Sequence, residues 1–373
     1  MANPNLYIGN TGGILLLSSV DDMLLTCPPQ AATEVEEIKT ALAATYKITK
    51  LGTARHFLAI EIKRKLDGRI GLGQRPFINS VLKRFSMESA SNGTTPLYDK
   101  VKLDLINEIE IDADSIECQG IVGSVKYIAF ATRRDISFAV AAISCYNSNS
   151  FICHLTATKT VLWYLKATRD YQLHPNTHSC DHTRHTDSER ANDSADWESL
   201  GGQIFFLSGT IFWQSLQQHI LAMSTLEAEY IACSEASGEG KWLLQQFKDI
   251  KQNWNDESNE TKPLPILCDN DAALAHTTNG VIKSRTRHID VCYNHSWDLY
   301  KRGIVNYSWI STHGNVADIF MKAFGRQKYQ KFTKLIGLWL KALITKFVLM
   351  HLYFSWKWDG RHISGYGQHC VPA

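Results

Sequence analysis

The chain has no Cys-x-x-Cys pair among its 9 cysteines, no secretory signal, and a net charge of only +2 over 373 residues. Each absence excludes something. Unpaired cysteines without a leader read as reduced intracellular thiols, not as a disulfide framework. Near neutrality removes any global field that would advertise a polyanion partner, although an acidic metal site needs basic surface only along its flanks. A charge-free apolar run is also missing. The apolar stretch from Leu335 to Trp358 carries Lys341, Lys346 and His351, and a lysine at a bilayer centre costs about 2.5–3.5 kcal/mol, so no membrane partner is expected. His174, His178, Cys180, His182 and His185 lack the paired spacing of a structural zinc site. What is present, 44% hydrophobic and 20% charged residues, describes a globular chain long enough for two or three domains.

The stretch richest in chemistry is Met223–Tyr230. Ser224 with Glu227 three residues later is a capping box that predicts a helix start. It occupies Glu227 locally and leaves Glu229 rigidly placed in the first turn, beside the small Ala228. Three further acids stand in contexts that would deliver them to one place. Asp269 ends the apolar run Leu264–Cys268, which reads as a short buried strand, and ligand sites in open sheets collect at such carboxyl ends. Asp318 follows Asn315, a helix-capping residue. Asp187 precedes an expected hairpin of Ile204–Leu207, a Ser208-Gly209 turn and Ile211–Trp213. Four carboxylates at close range raise one another's pKa and require a cation. Two magnesium ions about 4 Å apart, with manganese as a substitute, would resolve the conflict. Glu189, Asp193 and Asp196 read as loop acids, and His288 and Asp290 as substrate contacts or turn residues.

From Asp181 to Phe324 the chain resembles the ribonuclease H domain of copia-type retrotransposon Pol polyproteins, particularly the fungal ones. The resemblance rests on Thr186-Asp187-Ser188, Ala191–Asp196, Ala222–Tyr230, Cys268-Asp269-Asn270, Arg285–Asp290 and Asn315–Ile319. It implies an α/β fold with a ribonuclease H-like mixed sheet and flanking helices, and a metal site of Asp187, Glu229, Asp269 and Asp318. It further implies that His313 is a mobile catalytic histidine, and that the RNA strand of an RNA–DNA hybrid is cut by in-line attack of water without a covalent enzyme intermediate. The partners implied are RNA–DNA hybrid or other nucleic acid and the rest of a transposon polyprotein, in a cytoplasmic virus-like particle or the nucleus. The alternative is a catalytically inactive remnant that keeps the fold.

Upstream, Ile14–Leu25 reads as two apolar strands joined through Asp21-Asp22, similar to the catalytic hairpin of a reverse transcriptase. No earlier palm strand precedes it in this sequence, so polymerisation by this chain alone is not expected. A truncated α+β palm, thumb and connection region therefore precedes the nuclease in the expected layout. Thr33–Thr49 is predicted as an amphipathic helix with Thr33 and Glu36 as its capping box. His56–Lys63 and Ile70–Leu72 are predicted as a hairpin similar to a primer grip, and Arg75–Phe85, Gly120–Tyr146 and His154–Thr168 as helices. Arg134 stands where the family has proline in Arg-Pro-Asp, and Gly238 and Gly240 fall inside the helix begun at Ser224, at roughly 1 kcal/mol each relative to alanine. The expected domains are 1–90 (reverse-transcriptase remnant), 91–175 (linker and connection helices), 181–325 (ribonuclease H-like domain) and 326–373 (a partly disordered tail).

Overall fold

The computed structural model describes residues 5–9, 13–65, 69–98, 103, 115–148, 150–174, 183–189, 199–206, 209–218, 222, 224–252, 263–279, 290–339 and 351–358. They form two compact units. One comprises Met1–Leu58, Gln246–Glu257 and Val348–Ala373, the other Ala59–Gln245 and Ser258–Phe347.

The first unit is built on an antiparallel meander. Strand Leu6–Ile8 pairs with Leu15–Ser19, which pairs with Asp22–Cys27. The backbone of His351–Trp358 then lies between Asp22–Cys27 and Ile48–Lys50. Ile14, Leu25, Cys27, Ala31 and Val35 form its core, with Leu16 and Ile38 against it. The helix spans Ala32–Thr45 and starts from Ala31 with no side-chain cap. Thr33 lies inside the first turn, so the expected capping box does not form. The chain leaves helix at Tyr46 and is extended by Ile48.

The second unit contains a five-stranded mixed sheet in the order Thr210–Gln217, Leu200–Phe206, Thr183–Glu189, Leu264–Cys268, Val305–Trp309. The first three strands are antiparallel neighbours. Leu264–Cys268 runs parallel to both Thr183–Glu189 and Val305–Trp309. That last strand pair is joined through helices Asp271–Asn279 and Asp290–Lys301, as a parallel pair requires a crossover. Apolar alternation explains the buried face: Leu264, Ile266 and Cys268 are buried while Pro265 and Leu267 are half-buried.

Helices Arg75–Arg84, Ser115–Ala131, Ser137–Ser144 and Ile152–Ala167 share one core with this sheet, including Ile78, Ile121, Val161, Ile204 and Phe320. The single helix expected over 120–146 is therefore two, broken by a 3₁₀ turn at Arg134–Ile136. A buried polar network holds that break. Asp135 accepts Arg133 Nε at 3.0 Å, Arg133 Nη2 at 2.8 Å and the Tyr164 hydroxyl at 2.6 Å, while Tyr329 donates to its carbonyl at 2.7 Å. Helix Arg326–Leu335 buries Tyr329 and Phe332 in the same core, so packed structure continues past the expected boundary at 325. Among the described residues no helix is long and apolar enough to cross a membrane.

Candidate active site

The sheet gathers the four acids at one end. Asp187 is carried by the central strand, Asp269 follows the last residue of its parallel neighbour, and Glu229 projects from the first turns of helix Thr225–Gln252. That helix starts where the sequence places it: Glu227 N–H donates to Ser224 Oγ at 3.2 Å. Ala228 is fully buried, and its carbonyl accepts Gln218 Nε2 at 2.9 Å. Asp318 lies on a 3₁₀ turn, Val316–Phe320, whose cap Asn315 accepts from Ala317 N–H at 3.3 Å. Asn315 Nδ2 also donates to the Thr186 carbonyl at 3.0 Å. One side chain thereby staples the Asp318 turn to the Asp187 strand.

Asp187, Glu229 and Asp318 are 4%, 5% and 0% exposed, and Asp269 is half-buried. The Asp187 carboxyl lies close enough to those of Asp318 and Glu229 to interact with both. Burial, and then the charge on Glu229, push Asp187 up to about 11. Burial, and then the neighbouring Cys268, push Glu229 up to about 9. Burial of these groups without a cation favours their neutral forms. The oxygen donor set and the mutual repulsion fit a hard divalent cation, which would restore the carboxylates.

Among the described residues Asp318 has compensating charge: Lys322 Nζ lies 2.6 Å from Oδ1 and Lys328 Nζ 3.5 Å from Oδ2. Both lysines escaped the sequence reading, since an i+4 lysine on a short turn has no distinctive pattern. Three other contributors were also missed. Gly202 pairs with Asp187 across the sheet, and Cys233 and Cys268 meet beside Glu229. Four residues separate Glu229 from Cys233, and one helical turn puts them on the same face.

His313 is exposed on the turn before Asn315. In the other unit, Ser19 pairs with Asp22, leaving Val20 and Asp21 as the hairpin turn; Asp21 is exposed and Asp22 half-buried. Val20 is 90% exposed with φ at +44°, a backbone region unfavourable for a β-branched residue. Of the histidine-rich segment, His174 and His185 are buried, while His178, Cys180 and His182 lie outside the described residues, as do Asp193, Asp196 and His288.

Residues 5–99 match the family described as reverse transcriptase (RNA-dependent DNA polymerase). The chain is 31% identical over 332 residues to the retrovirus-related Pol polyprotein from transposon TNT 1-94 of Nicotiana tabacum, covering 87% of this chain and 24% of that protein. Against the Pol polyprotein from transposon RE1 of Arabidopsis thaliana the identity is 32% over 328 residues, covering 87% and 22%. It is also 35% identical over 132 residues to secreted RxLR effector protein 161 of Plasmopara viticola, covering 35% of this chain and 93% of that one. The chain spans about a quarter of the length of the two polyproteins. Both are plant elements, which corrects the expected affinity to fungal ones.

Proposed function

The chain belongs to the copia-type retrotransposon Pol polyproteins, and on that premise we propose that its carboxylate cluster is the active site of a ribonuclease H-type endonuclease acting on RNA–DNA hybrids. The observation that carries this reading is the convergence of Asp187, Glu229, Asp269 and Asp318 at one end of a mixed sheet, three of them almost fully buried. Such a cluster destabilises a fold unless a cation occupies it. Asp187, Glu229, Asp269 and Asp318 would hold magnesium or manganese. Bound there, a pair of such ions supplies positive charge to the attacking and leaving oxygens of a phosphodiester.

The protein's own part is positional. The central strand and the Asn315 staple fix Asp187 and Asp318 relative to each other, and the capped helix fixes Glu229. Exposed His313 is free to approach substrate from the turn and move a proton at the leaving oxygen. The sheet unit and the packed helices before it correspond in this reading to the nuclease and connection parts of the polyprotein. The Asp21-Asp22 hairpin is the polymerase remnant.

A second reading, an inactive relic that keeps the fold, is favoured by one observation: Lys322 and Lys328 already neutralise Asp318. Asp269→Asn separates the two. An active nuclease variant keeps its melting behaviour and loses cleavage, whereas a relic shows no cleavage to lose in the parent protein.

A further inference from the structure

We propose that Glu229, Cys268 and Asp269, with Cys233 as a second sulfur, form a binding site for a thiophilic divalent cation of the zinc class that overlaps the hard-cation site. One ligand atom from each of Glu229, Cys268 and Asp269 lies within 4.8 Å of the others. Cys268 Sγ is 3.8 Å from Glu229 Oε2. A zinc ion with Zn–S of about 2.3 Å and Zn–O of about 2.0 Å at a tetrahedral angle separates sulfur from oxygen by about 3.5 Å, so this edge closes with a shift of a few tenths of an ångström. The widest edge must contract further, which half-buried Asp269, just past the end of its strand, is placed to allow.

Asn270 N–H donates to Cys268 Sγ at 3.4 Å, which holds the sulfur in place beside the two carboxylates. Cys233, fully buried and one helical turn beyond Glu229, lies beside the same thiol. Mixed sulfur and carboxylate donors suit zinc, whereas magnesium uses oxygen alone. As the metal–sulfur bond forms, the Cys268 proton is released to solvent. Occupation withdraws Glu229 and Asp269 from any hard cation, so zinc would block the site. The coordination itself stands whether or not the protein turns over substrate.

The test uses the full-length, metal-free chain with zinc alone, followed by X-ray absorption at the zinc edge and competition against a coloured chelator. The expected result is one saturable equivalent with sulfur in the coordination shell at about 2.3 Å. Cys268→Ser should lose the sulfur signal, and Glu229→Gln, which keeps both thiols, should weaken binding about tenfold or more. Cys145→Ser, which removes an exposed thiol elsewhere, should change neither. A shell of oxygen and nitrogen only, or Glu229→Gln binding zinc as tightly as the parent, would overturn the proposal. The Glu229→Gln arm remains decisive even if Cys268→Ser does not fold.

Discussion

Gly202 stands directly across the sheet from Asp187, and the space a side chain would take there is filled by the turn that carries Asp318. A Cβ at Gly202 would lie 2.7 Å from Met321 Cγ and 2.8 Å from the Ala317 carbonyl oxygen. The glycine is what lets the turn that carries Asp318 pack against the sheet beside Asp187. Gly202→Ala should therefore push the Asp318 turn off the strand. We expect a loss of about 1–3 kcal/mol, the usual cost of overpacking, measured by urea denaturation, together with weaker magnesium binding by calorimetry. Unchanged binding would mean the turn yields without moving Asp318.

The lysines beside Asp318 make a second prediction. Lys322 and Lys328 compete with a divalent cation for the same carboxylate. Lys322→Met should lower the magnesium concentration needed for half-maximal cleavage several-fold. A rise in that concentration, or loss of cleavage at saturating magnesium, would show that Lys322 assists the reaction.

Arg134 supplies a third. It is fully buried, its Nε and Nη2 have no hydrogen-bond partner among the described residues, and its Nη1 donates to the Thr210 carbonyl at a long 3.4 Å. Burial lowers its pKa to about 9 despite nearby Asp135. Replacing a poorly paired buried ion by an apolar residue of similar volume is often stabilising by about 1–4 kcal/mol. Arg134→Met should raise the urea midpoint; a fall would mean that its stacking on Trp213, 5.5 Å away, outweighs the burial.

Acid should test the buried histidines. Burial holds His174 and His185 down to about 4 from an ordinary 6.5, with Lys65 and Arg69 reinforcing the effect at His174. A depressed folded-state value contributes stability that is present above pH 6.5 and lost as pH falls through about 4. The raised carboxyls of Asp187 and Glu229 act oppositely in the metal-free protein. Their contribution is fully present below the ordinary carboxyl range and lost as pH rises through about 9 to 11. The diagnostic quantity is thus a difference: His174→Gln should lose less stability than the parent between pH 7 and 4, by up to about 3 kcal/mol. Parallel curves would contradict the burial of a neutral ring.

Much of this was legible locally. The apolar run Leu264–Cys268 gave a strand of those bounds, Ser224 gave the helix start, and Asn315 gave the cap of the Asp318 turn. The antiparallel strand pair before Glu229 was expected, though its strands are longer than the apolar positions alone implied, and Leu207 and Ser208 of the expected turn lie outside the described residues. What was not legible depends on contacts between distant segments. Gly202 reads as an ordinary glycine until register sets it against Asp187. The break at Arg133–Ile136 requires Tyr164 and Tyr329 to meet Asp135, and a helical window cannot show that. Thr33 and Glu36 have cap spacing, but the helix begins two residues too early to use it.

The most direct measurement is cleavage of an RNA–DNA hybrid by the full-length protein, with the label placed in turn on the RNA and on the DNA strand, in magnesium and in chelator. Magnesium-dependent cutting confined to the RNA strand, and absent from a DNA duplex, is the predicted result. No cutting by a protein that binds magnesium and melts cooperatively would contradict it, and would assign the four acids to a fold that has lost its reaction.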